Sequence, residues 1–128
     1  MGGFPLTSLR INSTEREKDL KLKGEAIITK EKITDYLLKW RPDNDKSQYL
    51  NQAGYTQTGW RNLLEDIRNQ ILPLDAEFLQ STVYGGLWRI RGTLKGPNGV
   101  AIRVVTIWMH EEYTGLTKFI TLFPDKEG

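Results

Sequence analysis

The fold turns on residues 87–109, "LWRIRGTLKGPNGVAIRVVTIWM". Two runs rich in apolar and β-branched residues flank Gly96-Pro97-Asn98-Gly99, which supplies the turn chemistry of a hairpin. Three arginines, Arg89, Arg91 and Arg103, sit inside the runs rather than at their ends. A loop over 96–99 sets Arg89 beside Thr106, Arg91 beside Val104 and Leu87 beside Trp108. Taking Gly85-Gly86 as the preceding two-residue turn adds Thr82, Gln80 and Tyr84 to those rows. A last loop over 111–114 adds Phe119, Thr121 and Thr117.

One face of this sheet then carries Gln80, Thr82, Arg89, Arg91, Thr106, Thr117 and Thr121, with Tyr84, Trp108 and Phe119 among them. The other carries Val83, Trp88, Ile90, Leu94, Ala101, Val105, Ile107, Met109, Ile120 and Leu122. Arg103 intrudes on this apolar face beside Gly92. A slip of one residue in any hairpin would move that strand's whole set to the opposite face.

The segments before the sheet read as helical. Glu25 to Ile28 forms a short strand, after which the Thr29 hydroxyl can cap a helix. Ile33, Tyr36, Leu37 and Trp40 follow at the spacing of one helical face, and Pro42 stops it. Asp45 caps a shorter helix, with Gln48 in the capping-box position and Gly54 at its end. Trp60, Leu63, Leu64, Ile67 and Ile71 form the apolar stripe of a third helix, which Pro73 ends. Helices followed by a four-stranded antiparallel β-meander predict an α+β domain over 25–128, the helices covering one face of the sheet. Residues 1–24 form a polar N-terminal extension of mixed charge.

The chain has 128 residues, enough for one compact domain with its own core. It has no cysteine, which excludes disulfides, thiol nucleophiles and thiolate metal sites. His110 is its only histidine, so a multi-histidine metal site and a paired-histidine catalytic site are excluded as well. No P-loop, dinucleotide fingerprint, nucleophile elbow or metal-ligand spacing occurs, and no cofactor is expected. The net charge of +2 permits a nucleic-acid partner without demanding one. No apolar run is long enough to span a membrane and the start lacks the features of a signal peptide, so a cytoplasmic protein is expected.

Cations, hydroxyls and aromatics mixed on an open sheet suit a phosphate backbone and stacked bases. A solvated sheet face, with Arg and Thr as its ordinary occupants, explains the same residues without a ligand. His110 reads first as a turn residue. Glu65 and Asp66, with Arg61 and Arg68, read as helix ion pairs.

Two segments carry a resemblance. "DKSQYLNQAGYTQTGWRNLLEDIRNQILPL" and "GTLKGPNGVAIRVVTIWMHEEYTGLTKFITLFPDK" resemble a family of small, uncharacterised bacterial domains found in settings like toxin–immunity systems. The helix-then-meander order also resembles the barnase, EndoU, colicin and RelE group of metal-independent ribonucleases. That second resemblance implies RNA as substrate, with Lys46, Arg89, Arg91, Thr106 and Thr121 as the catalytic positions. Gln80, Thr82, Tyr84, Trp108 and Phe119 would then bind. No histidine lies on the inferred face, a departure from that group's usual acid–base equipment. The competing expectation is a non-catalytic immunity or partner-binding module that uses Tyr84, Trp108 and Phe119 of the same face as anchors.

Overall fold

The computed structural model describes residues 22, 26–43 and 45–126. The division between extension and domain at residue 24 falls outside these, although Leu22 packs against the core. Among these residues, five strands form one sheet: β1 (Ala26–Ile27), β2 (Glu77–Thr82), β3 (Gly85–Lys95), β4 (Ala101–Glu111) and β5 (Thr117–Pro124), in the order β1-β5-β4-β3-β2. The meander β2 to β5 is antiparallel, as expected, but β1 joins it in parallel, with Ala26 opposite Thr117. The expected four-stranded antiparallel sheet is therefore corrected to a five-stranded mixed one. A two-residue strand pairing with the far end of the chain leaves no turn signal to betray it.

Among the described residues, four short helical segments cover one face: α1 (Lys32–Leu37), α2 (Ser47–Asn51), α3 (Trp60–Asp66) and α4 (Ile67–Ile71), which continues α3 directly. Thr29 accepts the Lys32 N–H at 3.3 Å, and the Asp45 carboxylate accepts the N–H groups of Ser47 and Gln48. Gly54 ends α2 with φ of 93°. α1 and α4 are wound as π-helices. The Leu38 N–H reaches the Ile33 carbonyl, and the Leu72 N–H reaches that of Ile67, each at 2.9 Å. The wider turn buries both Leu37 and Leu38 and leaves Trp40 61% exposed, where ordinary helical spacing would put it inside.

The hairpin β3–β4 differs from expectation by one residue. The Gly96 N–H donates to the Val100 carbonyl at 3.0 Å, and the Asn98 side chain accepts the Val100 N–H at 2.9 Å. Val100 is thereby held in the loop, and Lys95 pairs with Ala101. Arg89 now stands opposite Ile107, Arg91 opposite Val105, and Arg103 opposite Thr93. Every residue of β4 changes face. Ile102, Val104, Thr106 and Trp108 turn inward against the helices, and Arg103 joins Arg89 and Arg91 on the outer side. Gly92 faces Val104, and a side chain there would strike Leu74 and Ile71.

Two further turns are corrected. Val83 and Tyr84 form the β2–β3 turn, and Gly85 lies in the strand at φ of 146°, pressed against the His110 carbonyl. The β4–β5 loop runs over 112–116, closed by the Glu111 N–H on the Leu116 carbonyl at 2.8 Å.

The core holds Ile33, Leu37, Leu50, Leu63, Ile67, Ile71, Ile90, Leu94, Val104, Trp108 and Leu122, all with no exposed surface. Each such side chain contributes roughly 1.5–3 kcal/mol of burial free energy. Thr106 lies among them with its hydroxyl satisfied on both sides. It donates to the Ile90 carbonyl at 2.9 Å and accepts from the Trp108 indole at 2.8 Å. Thr106→Val keeps the shape but strands the buried indole N–H. It should lower unfolding stability by about 1–3 kcal/mol, read from denaturant midpoints.

Candidate functional site

The residues nominated from the sequence do not converge on one surface. Arg89 donates to Glu77, its cross-strand neighbour, from Nε at 3.1 Å and from an Nη at 2.7 Å. Arg91 faces the Asp125 carboxylate at 3.9 Å, and that side chain is only 6% exposed. Both arginines line a cleft of about 280 Å³ with Val105, Phe123, Pro124, Asp125 and Lys126. On this face their charge is met by carboxylates of the same chain. Thr82 organises its turn, donating to the Gly85 carbonyl and accepting the Tyr84 and Gly85 N–H groups. Gln80 is exposed on β2, and Tyr84 is 72% exposed at the turn. Trp108 and Phe119 are buried against one another, ring centroids 5.3 Å apart at 72°, so neither can anchor a partner. Thr106 is buried, its hydroxyl held between the Ile90 carbonyl and the Trp108 indole.

Lys46 and Thr121 meet where the start of α2 approaches β5. Lys46 follows the Asp45 cap that starts α2, and it is 8% exposed. Thr121 follows an irregularity in β5: Phe119 pairs with Trp108 and Thr121 with Ile107, leaving Ile120 as an extra residue. Such a bulge re-aims the side chains beside it. The Lys46 ammonium donates to the Thr121 hydroxyl and to the Tyr36 hydroxyl, each at 2.9 Å. Thr121 in turn donates to the Tyr36 oxygen at 3.3 Å. Lys32, one helical turn before Tyr36, donates to the Ile120 carbonyl at 2.9 Å.

These groups border an open cleft of about 610 Å³ lined by Thr29, Glu31, Lys32, Tyr36, Ile120 and Thr121. Lys46 is not among its lining residues. It supports the two hydroxyls that are. The Tyr36 ring collects three cations, with Lys46 at 4.7 Å, Arg41 at 5.3 Å and Lys32 at 5.8 Å from its centroid. Among the described residues, no carboxylate forms an ion pair with Lys32 or Lys46. The Lys46 hydrogen bond, then that of Thr121, holds the Tyr36 phenol below its ordinary pKa. Burial opposes this, and the charges of Lys46 and Lys32 add to it. Tyr55 shows the reverse case: burial and the adjacent Asp66 carboxylate push its phenol up.

Tyr36 was legible in the sequence only as part of an apolar helical stripe. The available signal was its hydroxyl, because a half-buried tyrosine must find a polar partner. Among the described residues no group of three or more His, Asp or Glu is placed to hold a metal ion. No helix among them is long and apolar enough to cross a membrane. The cluster can present two polarised hydroxyls and a lysine to an anion, with one phenol disposed to release its proton.

Residues 20–126 match the sequence profile of a family described as Domain of unknown function (DUF6883). No curated protein matches the chain. The fold is similar to a chain in the solved structure titled "Contact-dependent growth inhibition toxin - immunity protein complex from Klebsiella pneumoniae 342". The TM-score is 0.57 at 19% sequence identity, covering 77% of this chain and 99% of that one. At that identity the likeness is one of fold.

The lowered phenol fixes a sign. A group whose folded pKa lies below its unfolded one binds more protons when unfolded, so stability rises with pH between the two values. Tyr36 should therefore ionise ahead of the ordinary tyrosine range in an ultraviolet phenolate titration, and its contribution to stability should grow as pH rises through that window. Lys46→Met should move this ionisation upward. An unchanged titration would remove Lys46 as its cause.

Proposed function

We propose that the chain, which belongs to the DUF6883 family, is a toxin-type member of a toxin–immunity pair that cleaves RNA without a metal through Tyr36, Thr121 and Lys32. The observation that carries this reading is the Tyr36 hydroxyl, fastened by Lys46 and Thr121 at the border of a cleft that Lys32 also lines. Cleavage at a ribose needs a base for the 2′-hydroxyl, stabilisation of charge on phosphorus, and an acid for the leaving oxygen. Tyr36 in its phenolate form takes the 2′ proton. The 2′-oxygen bonds to phosphorus while the bond to the 5′-oxygen breaks. Lys32 neutralises the phosphorane and gives the departing oxygen its proton, leaving a 2′,3′-cyclic phosphate and a 5′-hydroxyl. Lys46 acts through Tyr36 and is a positioning residue. The fold likeness to a chain from a toxin–immunity complex supports the setting.

The arginine-bearing sheet face, first expected to hold RNA, has no place in this scheme. A second reading, a partner-binding module, finds support at the far turns, where Val83 is 92% exposed, Tyr84 72% and Tyr113 fully exposed. A cognate toxin or immunity protein would contact them, and Tyr84→Ala with Tyr113→Ala should abolish its co-purification.

The chain incubated with RNA and chelator should release fragments ending in cyclic phosphate, and its induced expression should arrest growth. Tyr36→Phe should lower the rate on the order of a hundredfold or more. Lys46→Met should both slow cleavage and shift the acidic limb of the rate profile to higher pH. Intact RNA in the presence of either chelator or magnesium would overturn the enzymatic reading.

A further inference from the structure

We infer that Trp60, with Lys30 and Arg61 gathered over its ring beside the Tyr36 cleft, is a stacking subsite for a base of single-stranded RNA. This deepens the proposed function and rests on the reading of the cleft as a site for an RNA phosphodiester.

Trp60 opens α3 and is half-buried, packed in part against the core. The Lys30 ammonium lies 5.1 Å from the centre of its ring and the Arg61 guanidinium 4.7 Å. Lys30 and Arg61 are both exposed, and among the described residues neither forms an ion pair with a carboxylate. The subsite and the cleft share a wall. Thr29, Glu31 and Lys32 line the cleft, and Lys30, between them in the chain, reaches Trp60. The Gln57 side chain ties the approach to α3 onto α1 by donating to the Thr34 carbonyl at 2.7 Å. Lys30 and Lys32 thus lie within one helical turn, one directed to the indole and the other to the Ile120 carbonyl at the cleft.

Binding sites for single strands combine cations that track phosphates with aromatic or guanidinium planes on which bases stack. Trp60 and Arg61 supply the planes here, and Lys30 and Lys32 the charges. Duplex RNA would gain little, because its bases are already stacked and its major groove is too deep and narrow for side chains to read. Glu31 and Asp35, the carboxylates of this helix, limit the positive field. Recognition therefore depends on stacking more than on charge.

The test uses the full chain and a fluorescent, 2′-O-methylated single strand, which the proposed chemistry cannot cut, in an anisotropy titration. Trp60→Leu, which keeps an apolar side chain but removes the π-face, should weaken binding on the order of tenfold. Arg61→Gln, at an exposed position, should also weaken it, while Arg103→Gln on the opposite sheet face should not. The same sequence as a duplex should bind less well and ignore Trp60→Leu. Equal affinities for the wild type, Trp60→Leu and Arg61→Gln, with unchanged circular dichroism, would overturn the subsite. Cleavage of unmodified RNA alongside equal affinities would sink the subsite alone. Trp60-dependent binding without cleavage would sink the catalytic reading and leave the subsite standing.

Discussion

One peptide hydrogen bond, from the Gly96 N–H to the Val100 carbonyl, closes the connection between β3 and β4 around five residues. Because side chains alternate along a strand, loop length fixes which half of β4 faces the helices. Ile102, Val104, Thr106 and Trp108 become core, and the opposite set goes outward. The loop is itself held in place. Gly96 lies against Ala53 so closely that a side chain would overlap its carbonyl, and Asn98 donates to the Gln52 and Ala53 carbonyls at the end of α2. Helix end and hairpin tip thus define each other, and sheet registry follows from their contact.

That registry accounts for the arginines. Arg89 and Glu77 stand directly across from one another, so their pair reinforces the pairing of β2 with β3. An exposed ion pair is worth only about 0–1 kcal/mol, which makes it a modest local support. Arg91 and the nearly buried Asp125 bring the chain after β5 back toward β3. Arg89 and Arg91 are thus both met by carboxylates of the same chain. On the helical side, three cations gather round one phenol, and one of them also bonds the neighbouring threonine.

The cluster of Tyr36, Lys46 and Thr121 depends on departures from regular geometry. The extra residue at Ile120 interrupts the alternation of β5, so that Phe119 and Leu122 can both be buried while Thr121 turns to Lys46. The π-winding of α1 packs Ile33, Leu37 and Leu38 inward and leaves Tyr36 half-buried at the border of the cleft. Local irregularities of this kind are tolerated where the surrounding core over-determines the backbone.

The sequence by itself determined the mix of helix and strand, the antiparallel pairing of successive strands from β2 to β5, the caps at Thr29 and Asp45, the glycine end of α2 and the stripe from Trp60 to Ile71. All are local signals, carried by residues a few positions apart. Lys46 and Thr121 could be nominated by residue type, and Tyr36 was hidden in a helical stripe. Tertiary structure alone decided the parallel docking of β1, the loop residue Val100 and the faces that follow from it, and the meeting of three residues from α1, the start of α2 and β5. Each of those depends on contacts between distant segments: a strand edge, a helix end under a hairpin, an ammonium shared by two hydroxyls. No periodicity along the chain encodes which distant group will satisfy a buried donor, so the carboxylates that face Arg89 and Arg91, and the meeting of Tyr36, Lys46 and Thr121, belong to the tertiary structure alone.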